Sequence, residues 1–414
     1  MVQPPTQPIS RSELVALLAM LTATVAFSID AMLPVLPEIA ADLTPDAPNQ
    51  IQLVLATFVV GMGLGTLFAG PLSDTYGRHA IAVGGSALYI IGALLGALSP
   101  NLETMLFARA LQGIGAAGPR IVALAITRDL FSGRQMARVV SFVMIVFSLV
   151  PVLAPTLGAA ISWAFGWRMI YYSFVVFSLI SIVWLLVRQP ETLPVEARRP
   201  FRFKAIWAGA KAIASSRQVM LAIAAQTLIY AMLFTALMTS QPIFEQVFDR
   251  GASFPIWFGL CAGISATASL LNAVIVVRIG MQRVVAWSLV AQIAITVVFL
   301  ATLTVVTLPG GFAFAAFFIW LISVFYMAGL GIGNLNAIAM EPMGHIAGLA
   351  ASIISATSTV ASVVVAAPIS LAFDGTPLPA ALGILTVAVI ALALTSRISN
   401  IELPQETAQF SREA

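Results

Sequence analysis

Charge is scarce in this chain. Asp, Glu, Lys and Arg make up only 9% of its 414 residues, against about 25% in a soluble globular domain, so there is too little polar material to cover a water-facing surface. Lysine is nearly missing. Lys204 and Lys211 are the only two, and they follow Phe203 and Ala210. A P-loop places its lysine after a glycine, so no ATP-driven motor is encoded here. The single cysteine, Cys261, excludes an intrachain disulfide and a cysteine metal site. The two histidines, His79 and His345, fall in expected loops, so no His-x-x-x-His zinc pair sits in an apolar run, and no Gly-x-Ser-x-Gly elbow occurs. Without these sets a membrane enzyme has no catalytic machinery, and neither metal nor organic cofactor is expected. The net charge of +3 comes from scattered arginines, which excludes a nucleic-acid footprint.

What the chain does have is apolar length. Hydrophobic residues make up 60% of it, above the usual ~45–50%, in runs that recur almost end to end. One crossing of the hydrocarbon core takes about 20 apolar residues, and in lipid each crossing has to be helical to satisfy its own amides. Spans are expected at 14–36, 51–71, 81–99, 104–127, 139–162 and 169–187, then at 219–239, 255–277, 284–306, 313–338, 348–371 and 378–396. The first run exceeds a signal-peptide core and lacks a small-residue cleavage site, so it reads as a retained helix. The fold class is an all-α integral membrane protein of twelve helices. It divides into a six-helix bundle over 1–187, a polar linker over 188–218 and a second six-helix bundle over 219–414.

Sixteen of the twenty Lys and Arg fall on one side of this layout, the side of the N-terminus, the linker, Arg397 and Arg412. The positive-inside rule makes that side cytoplasmic, which places both termini in the cytoplasm. The halves look like a repeat. Gly113-Ile114-Gly115 matches Gly331-Ile332-Gly333, and Ala154-Pro155 matches Ala367-Pro368. Transporters are commonly built from such repeats around a midplane site.

Three charged side chains lie inside spans: Asp30, Arg109 and Arg120. A charge there costs at least ~2.5–3.5 kcal/mol, so each marks a candidate functional site facing the protein interior. Burial and a neighbouring arginine act on a carboxylate in opposite senses, which makes Asp30 a candidate proton carrier. Arg109 lies at a similar depth. It is expected to meet Asp30 directly or through Gln112, either as a static ion pair, as a tuner of the proton site, or as a counter-charge to an anionic substrate. Arg120 has either a functional role or a snorkelling one. Asn334 and Asn336 line a cavity or bond a neighbouring helix. Pro151 and Pro155 remove two backbone donors from the fifth span, and with Gly158 they form a candidate hinge or a kinked packing site. Gly61, Gly63 and Gly65 read as close packing. Trp163 and Trp167 read as interface anchors, and the basic residues of 198–204 as a solvated linker.

The loop Gly70-Pro71-Leu72-Ser73-Asp74-Thr75-Tyr76-Gly77-Arg78-His79 resembles the loop between helices two and three of the major facilitator superfamily, departing at Thr75 and His79. Arg109-Ala110-Leu111-Gln112-Gly113 resembles its helix-four motif, and Leu153-Ala154-Pro155-Thr156-Leu157-Gly158-Ala159 its helix-five antiporter motif, with Ala154 for the usual glycine. Ser28-Ile29-Asp30-Ala31-Met32-Leu33-Pro34, and the segment from Asn336 through Glu341-Pro342 to Gly348, are similar to the Bcr/CflA drug-resistance branch. The resemblance implies two pseudo-symmetric six-helix bundles and proton-driven drug export by a monomer in a plasma or inner membrane. It assigns Asp30 and Arg109 to proton coupling, Asp30, Arg109, Gln112, Asn334 and Asn336 to the substrate cavity, and Gly70, Asp74, Gly77 and Arg78 to a cytoplasmic gate. It leaves open a metabolite or sugar exporter and a proton symporter. A non-transporting receptor of the same fold is the alternative of another class.

Overall fold

A computed structural model of the chain describes residues 9–304 and 310–398. Arg412, both termini and the last two residues of the expected ninth span lie outside them. In order, the helices are α1 (Arg11–Asp30), α2 (Leu36–Leu43), α3 (Leu53–Tyr76), α4 (Arg78–Ala97), α5 (Leu102–Leu130), α6 (Gly133–Phe165), α7 (Arg168–Arg188), α8 (Phe203–Ser215), α9 (Arg217–Pro242), α10 (Phe254–Ile279), α11 (Met281–Thr304), α12 (Gly310–Met340), α13 (Ala347–Leu371) and α14 (Leu378–Thr395). Among the described residues, twelve helical stretches are long and apolar enough to cross a membrane.

The spans run alternately up and down. One end of the bundle, called the basic end below, carries the α3–α4 turn, the α5–α6 turn and the linker. The opposite end carries residues 31–52, 98–101, 166–167 and 243–253. The expected unbroken first span is corrected. α1 stops at Asp30, a 3-10 turn covers Leu33–Val35, and α2 continues to Leu43. Pro34 and Pro37 cause the break, because neither has an N–H to return to the carbonyls of Asp30 and Leu33. The linker is not merely polar chain either, since α8 forms within it. Ile206, Gly209 and Ile213 turn one buried stripe toward α13, where Gly209 rests on Leu349. His79 belongs to the first turn of α4 rather than to a loop.

Glycines let α5 settle between α3 and α4. Side chains at Gly61 and Gly65 would strike the α5 backbone at Ala110 and Ile114, and one at Gly115 would strike the amide of Tyr89 on α4. With no hydrophobic drive between helices in lipid, such close backbone approach is what holds spans together. Ion pairs fasten the rims. Glu13 accepts from the Arg188 Nε at 2.6 Å at the basic end, and Asp42 from Arg168 at 3.0 Å at the opposite end. Trp163 is exposed, as a lipid-facing anchor would be. Trp167 is not an anchor: it is buried and donates its Nε1 to Asp42 at 3.0 Å.

Candidate functional site

Arg109 sits two turns into α5, whose start is capped by Asn101 accepting from the Thr104 amide. Its side chain is fully buried, and every reach of the guanidinium is used. It donates to the Gln112 Oε1 at 2.7 Å, the Ser28 carbonyl at 3.1 Å and the Val54 carbonyl at 3.3 Å, and it lies 4.3 Å over the Phe58 ring. The Ser28 hydroxyl in turn meets the Tyr89 hydroxyl at 2.5 Å. Arg109 thus knots α1, α3, α4 and α5 together.

The expected contact between Arg109 and Asp30, direct or through Gln112, is not made. Asp30 is 6% exposed, and among the described residues no hydrogen bond or ion pair reaches its carboxyl. The reason is helical geometry. Residues two apart do not share a face, so with Ser28 turned to α4 and α5, Asp30 is turned away from both. What results is a buried carboxyl with no fixed counter-ion beside a fully satisfied buried guanidinium.

The large cavity lies elsewhere, nearer the basic end. Its volume is about 780 Å³, and both halves line it. Thr22, Thr66 and Arg120 come from the first half, and Gln226, Tyr230 and Asn336 from the second. Of the expected cavity residues only Asn336 is there. Asp30, Arg109 and Gln112 lie outside the lining, and Asn334 is spent on helix packing, donating to Asn272 of α10 at 2.7 Å and to the Leu330 carbonyl at 2.8 Å. Gln226 and Tyr230 were overlooked in the sequence, although a glutamine inside an apolar run is as strong a signal as the asparagines. The cavity reaches the basic end at a mouth framed by Arg128, Arg199 and Arg202. Among the described residues, no cluster of His, Cys, Asp and Glu is arranged to hold a metal.

The repeat is asymmetric here. A side chain at Gly115 would strike the Tyr89 amide of α4, whereas one at Gly333, its match in the second half, meets nothing within 4 Å and faces the cavity. The first copy packs a helix and the second leaves room for a ligand.

At the basic end Arg78 is the hub. It donates to Asp74 at 2.6 Å, to Ser73 at 3.0 Å and to both oxygens of Asp129 at 2.8 and 3.1 Å. Glu191 of the linker accepts the Arg78 and His79 amides at 3.0 and 2.9 Å, crowning the start of α4. Burial works against the Glu191 carboxylate, but the backbone amides of Leu193, His79 and Arg78 outweigh it and hold the carboxyl below its ordinary range. Gly77, at φ 99°, makes the turn possible, and a side chain there would strike Arg198 and Glu191. Of the four expected gate residues only Gly70 faces the second half, against Ser352 of α13. Asp74, Gly77 and Arg78 bond within the first half and the linker.

The halves are pinned together toward the opposite end. Asn49 donates to the Phe373 carbonyl at 2.6 Å and to the Leu371 carbonyl at 3.3 Å. In α10, Gly259 lies against the Val152 carbonyl of α6. Helix α6 runs unbroken through Pro151 and Pro155, and its Gly158 presses on the Ala31 carbonyl where α1 ends. The candidate hinge is therefore a contact point with the broken first span. α3 and α13 also join the halves, with Gly63 against Val360 and Gly70 near Ser352.

This arrangement agrees with comparisons to known proteins. The sequence matches the family described as Major Facilitator Superfamily over residues 18–367. It is 29% identical to the multidrug resistance protein MdtL of Citrobacter koseri, over 79% of this chain and 80% of that one. It is also 29% identical to the bicyclomycin resistance protein homolog of Haemophilus influenzae, over 66% and 69%. The fold resembles that of a D-xylose–proton symporter, with a TM-score of 0.70, 15% identity and coverage of 94% of this chain and 98% of that one. With its family match spanning most of the sequence and its twelve spans arranged around a cavity shared by both halves, the chain belongs to the Major Facilitator Superfamily and is a transporter of that fold.

Proposed function

We propose that the protein exports small molecules, drugs or other xenobiotics among them, in exchange for protons, the two six-helix halves rocking about the shared cavity. The observation that carries this reading is the cavity's placement. It is reached from the basic end and shut off from the other by the Asn49 clasp and the α6–α10 contact, which is the loading state of an exporter if the basic end is cytoplasmic, as the positive-inside rule has it. Both termini are then cytoplasmic, in a plasma or inner membrane. The relatives named for multidrug and bicyclomycin resistance support drugs as cargo. The protein is expected to act as a monomer, with the proton gradient in place of a cofactor.

Asp30 is assigned the proton, because a buried carboxyl without a counter-ion exchanges one without first breaking an ion pair. Arg109 holds α1 in register two residues away. One proton crossing ~100 mV supplies about 2.3 kcal/mol and one pH unit about 1.4 kcal/mol, enough together for roughly a 500-fold gradient of a neutral solute at one-to-one exchange.

The test is proton flux in energised inverted vesicles, adding drugs one at a time, for wild type and Asp30→Asn at equal expression. Drug-evoked proton release in wild type that is lost in the variant is the expected result. Release that persists in the variant removes Asp30 from the proton path.

A further inference from the structure

We propose that the cavity selects an amphipathic organic anion, an aromatic or aliphatic body carrying a carboxylate or sulfonate, with Arg120 as the seat of the charged group. The proposal rests on reading this cavity as the cargo site and adds the chemistry of the cargo.

Two intramembrane arginines lie on the same helix, one fully buried and one half-buried. Arg109 is fully consumed by Gln112, two backbone carbonyls and the Phe58 ring. Each of its three nitrogens already donates within the protein, and it lies outside the cavity lining. Arg120, three turns further along α5, is half-buried and lines the cavity. Among the described residues no carboxylate pairs with it, and its one recorded contact is the Met62 sulfur at 4.0 Å. A planar guanidinium fork without a carboxylate partner therefore lines the shared cavity, and such a fork matches a carboxylate or sulfonate in two-point contact.

The surroundings point the same way. Tyr230, on α9, lines the same cavity as Arg120. Its hydroxyl has no hydrogen-bond partner among the described residues, and its ring stacks on Phe234 with centroids 5.9 Å apart. It offers a second donor and an aromatic wall. A cation finds no counterpart, because among the described residues Asp74 is the only carboxylate on the lining and Arg78 already holds it at 2.6 Å. Arg128, Arg199 and Arg202 frame the mouth and give the approach a positive field that steers anions inward. A cavity of about 780 Å³ with apolar walls such as Ile121, Val143 and Leu349 suits an amphiphile better than a small inorganic ion.

The test uses three probes with one body and different heads: 2-naphthoate, 2-naphthamide and 2-naphthylmethylammonium. Equilibrium binding of each to the purified full chain in zwitterionic-lipid nanodiscs is measured at neutral pH, with empty discs subtracted. Naphthoate is expected to bind about tenfold or more tighter than the ammonium probe, the worth of a charge-assisted hydrogen bond. Arg120→Gln is expected to erase that preference, and an unchanged apparent melting temperature in the same discs shows that the variant is folded. Arg120→Lys, which keeps the charge but not the fork, is expected to restore part of it. Equal or tighter binding of the ammonium probe, an unchanged ratio in Arg120→Gln, or no binding of any probe overturns the proposal. Loss of naphthoate binding when the discs contain phosphatidylglycerol assigns the site to a lipid headgroup and overturns it as well. No gradient is present in this assay, so its failure leaves proton-coupled export of uncharged cargo standing, and failure of the Asp30 flux test leaves the charge preference untouched.

Discussion

Replacing Asn49 by alanine should unfasten the closed end of the transporter. Its side-chain amide bridges from the first half to the Phe373 and Leu371 carbonyls of the second, at 2.6 and 3.3 Å. Each such bond is worth about 0.5–1.5 kcal/mol net, and the longer one belongs at the low end of that range. The freed carbonyls rehydrate at the surface, so the loss is about 1–2 kcal/mol. It falls only on the state in which this end is shut, so the population open at this end should rise roughly 5- to 30-fold. A reporter is available in Met238, which is fully buried and lines a pocket of about 220 Å³ between the halves at this end. With Cys261, itself buried, changed to serine and Met238 to cysteine, the rate of labelling by an impermeant maleimide added from outside tracks the open population. The rate should rise by that factor in the Asn49→Ala background. Equal rates in the two backgrounds, with matched thermal stability, would show that the clasp carries no free energy and that the closed end is held by packing alone.

The Glu191 clasp should be acid-labile. Because its folded carboxyl sits below the ordinary range, its contribution is complete above that range and lost as pH falls through the lower folded value. Hydrogen-exchange protection of the Arg78 and His79 amides, corrected for intrinsic rates, should therefore decline as pH falls below the ordinary carboxylate range, and Glu191→Gln should flatten the profile. Arg78→Ala should destabilise by about 2–3 kcal/mol, less than for a fully enclosed pair, because the Asp74 and Asp129 side chains are 54% and 19% exposed. Arg78→Lys should recover about half of that, read as apparent melting temperature in detergent. Gly115→Val should prevent accumulation of folded protein, whereas Gly333→Val, at the matching place in the second half, should fold normally and shrink the cavity, read as yield on size-exclusion chromatography and as lost ligand binding.

The spans were legible because apolar length is a local property. Asp30, Arg109 and Arg120 stood out because a charge in such a run has no other excuse. Which of them meet was not legible, since it depends on helix rotation. The register that turns Ser28 toward α5 turns Asp30 away, and nothing in the residue names tells that Arg109 is satisfied and Arg120 is not. The Pro34 and Pro37 break was readable from the missing donors but was absorbed into a long apolar run. Helix α8 carried its own signal, with Ile206, Gly209 and Ile213 at helical spacing, masked by the surrounding basic residues. Asn49 had none: a polar residue in a polar loop acquires meaning only when the other half of the molecule is brought to it.

The linker also sets a mechanical limit. Its first part is moored to the first half, the Arg199 amide donating to the Asp74 carbonyl at 3.0 Å, and its last part is laid against α13 as α8, which begins at Phe203. Only four peptide units run between the two moorings, and drawn straight they reach about 14 Å. The mouth can gape no further than that leash allows. A cargo needing a wider opening has to wait for the Arg199 mooring to slip, so the bulk of what enters is limited by a length of chain as well as by the walls of the cavity.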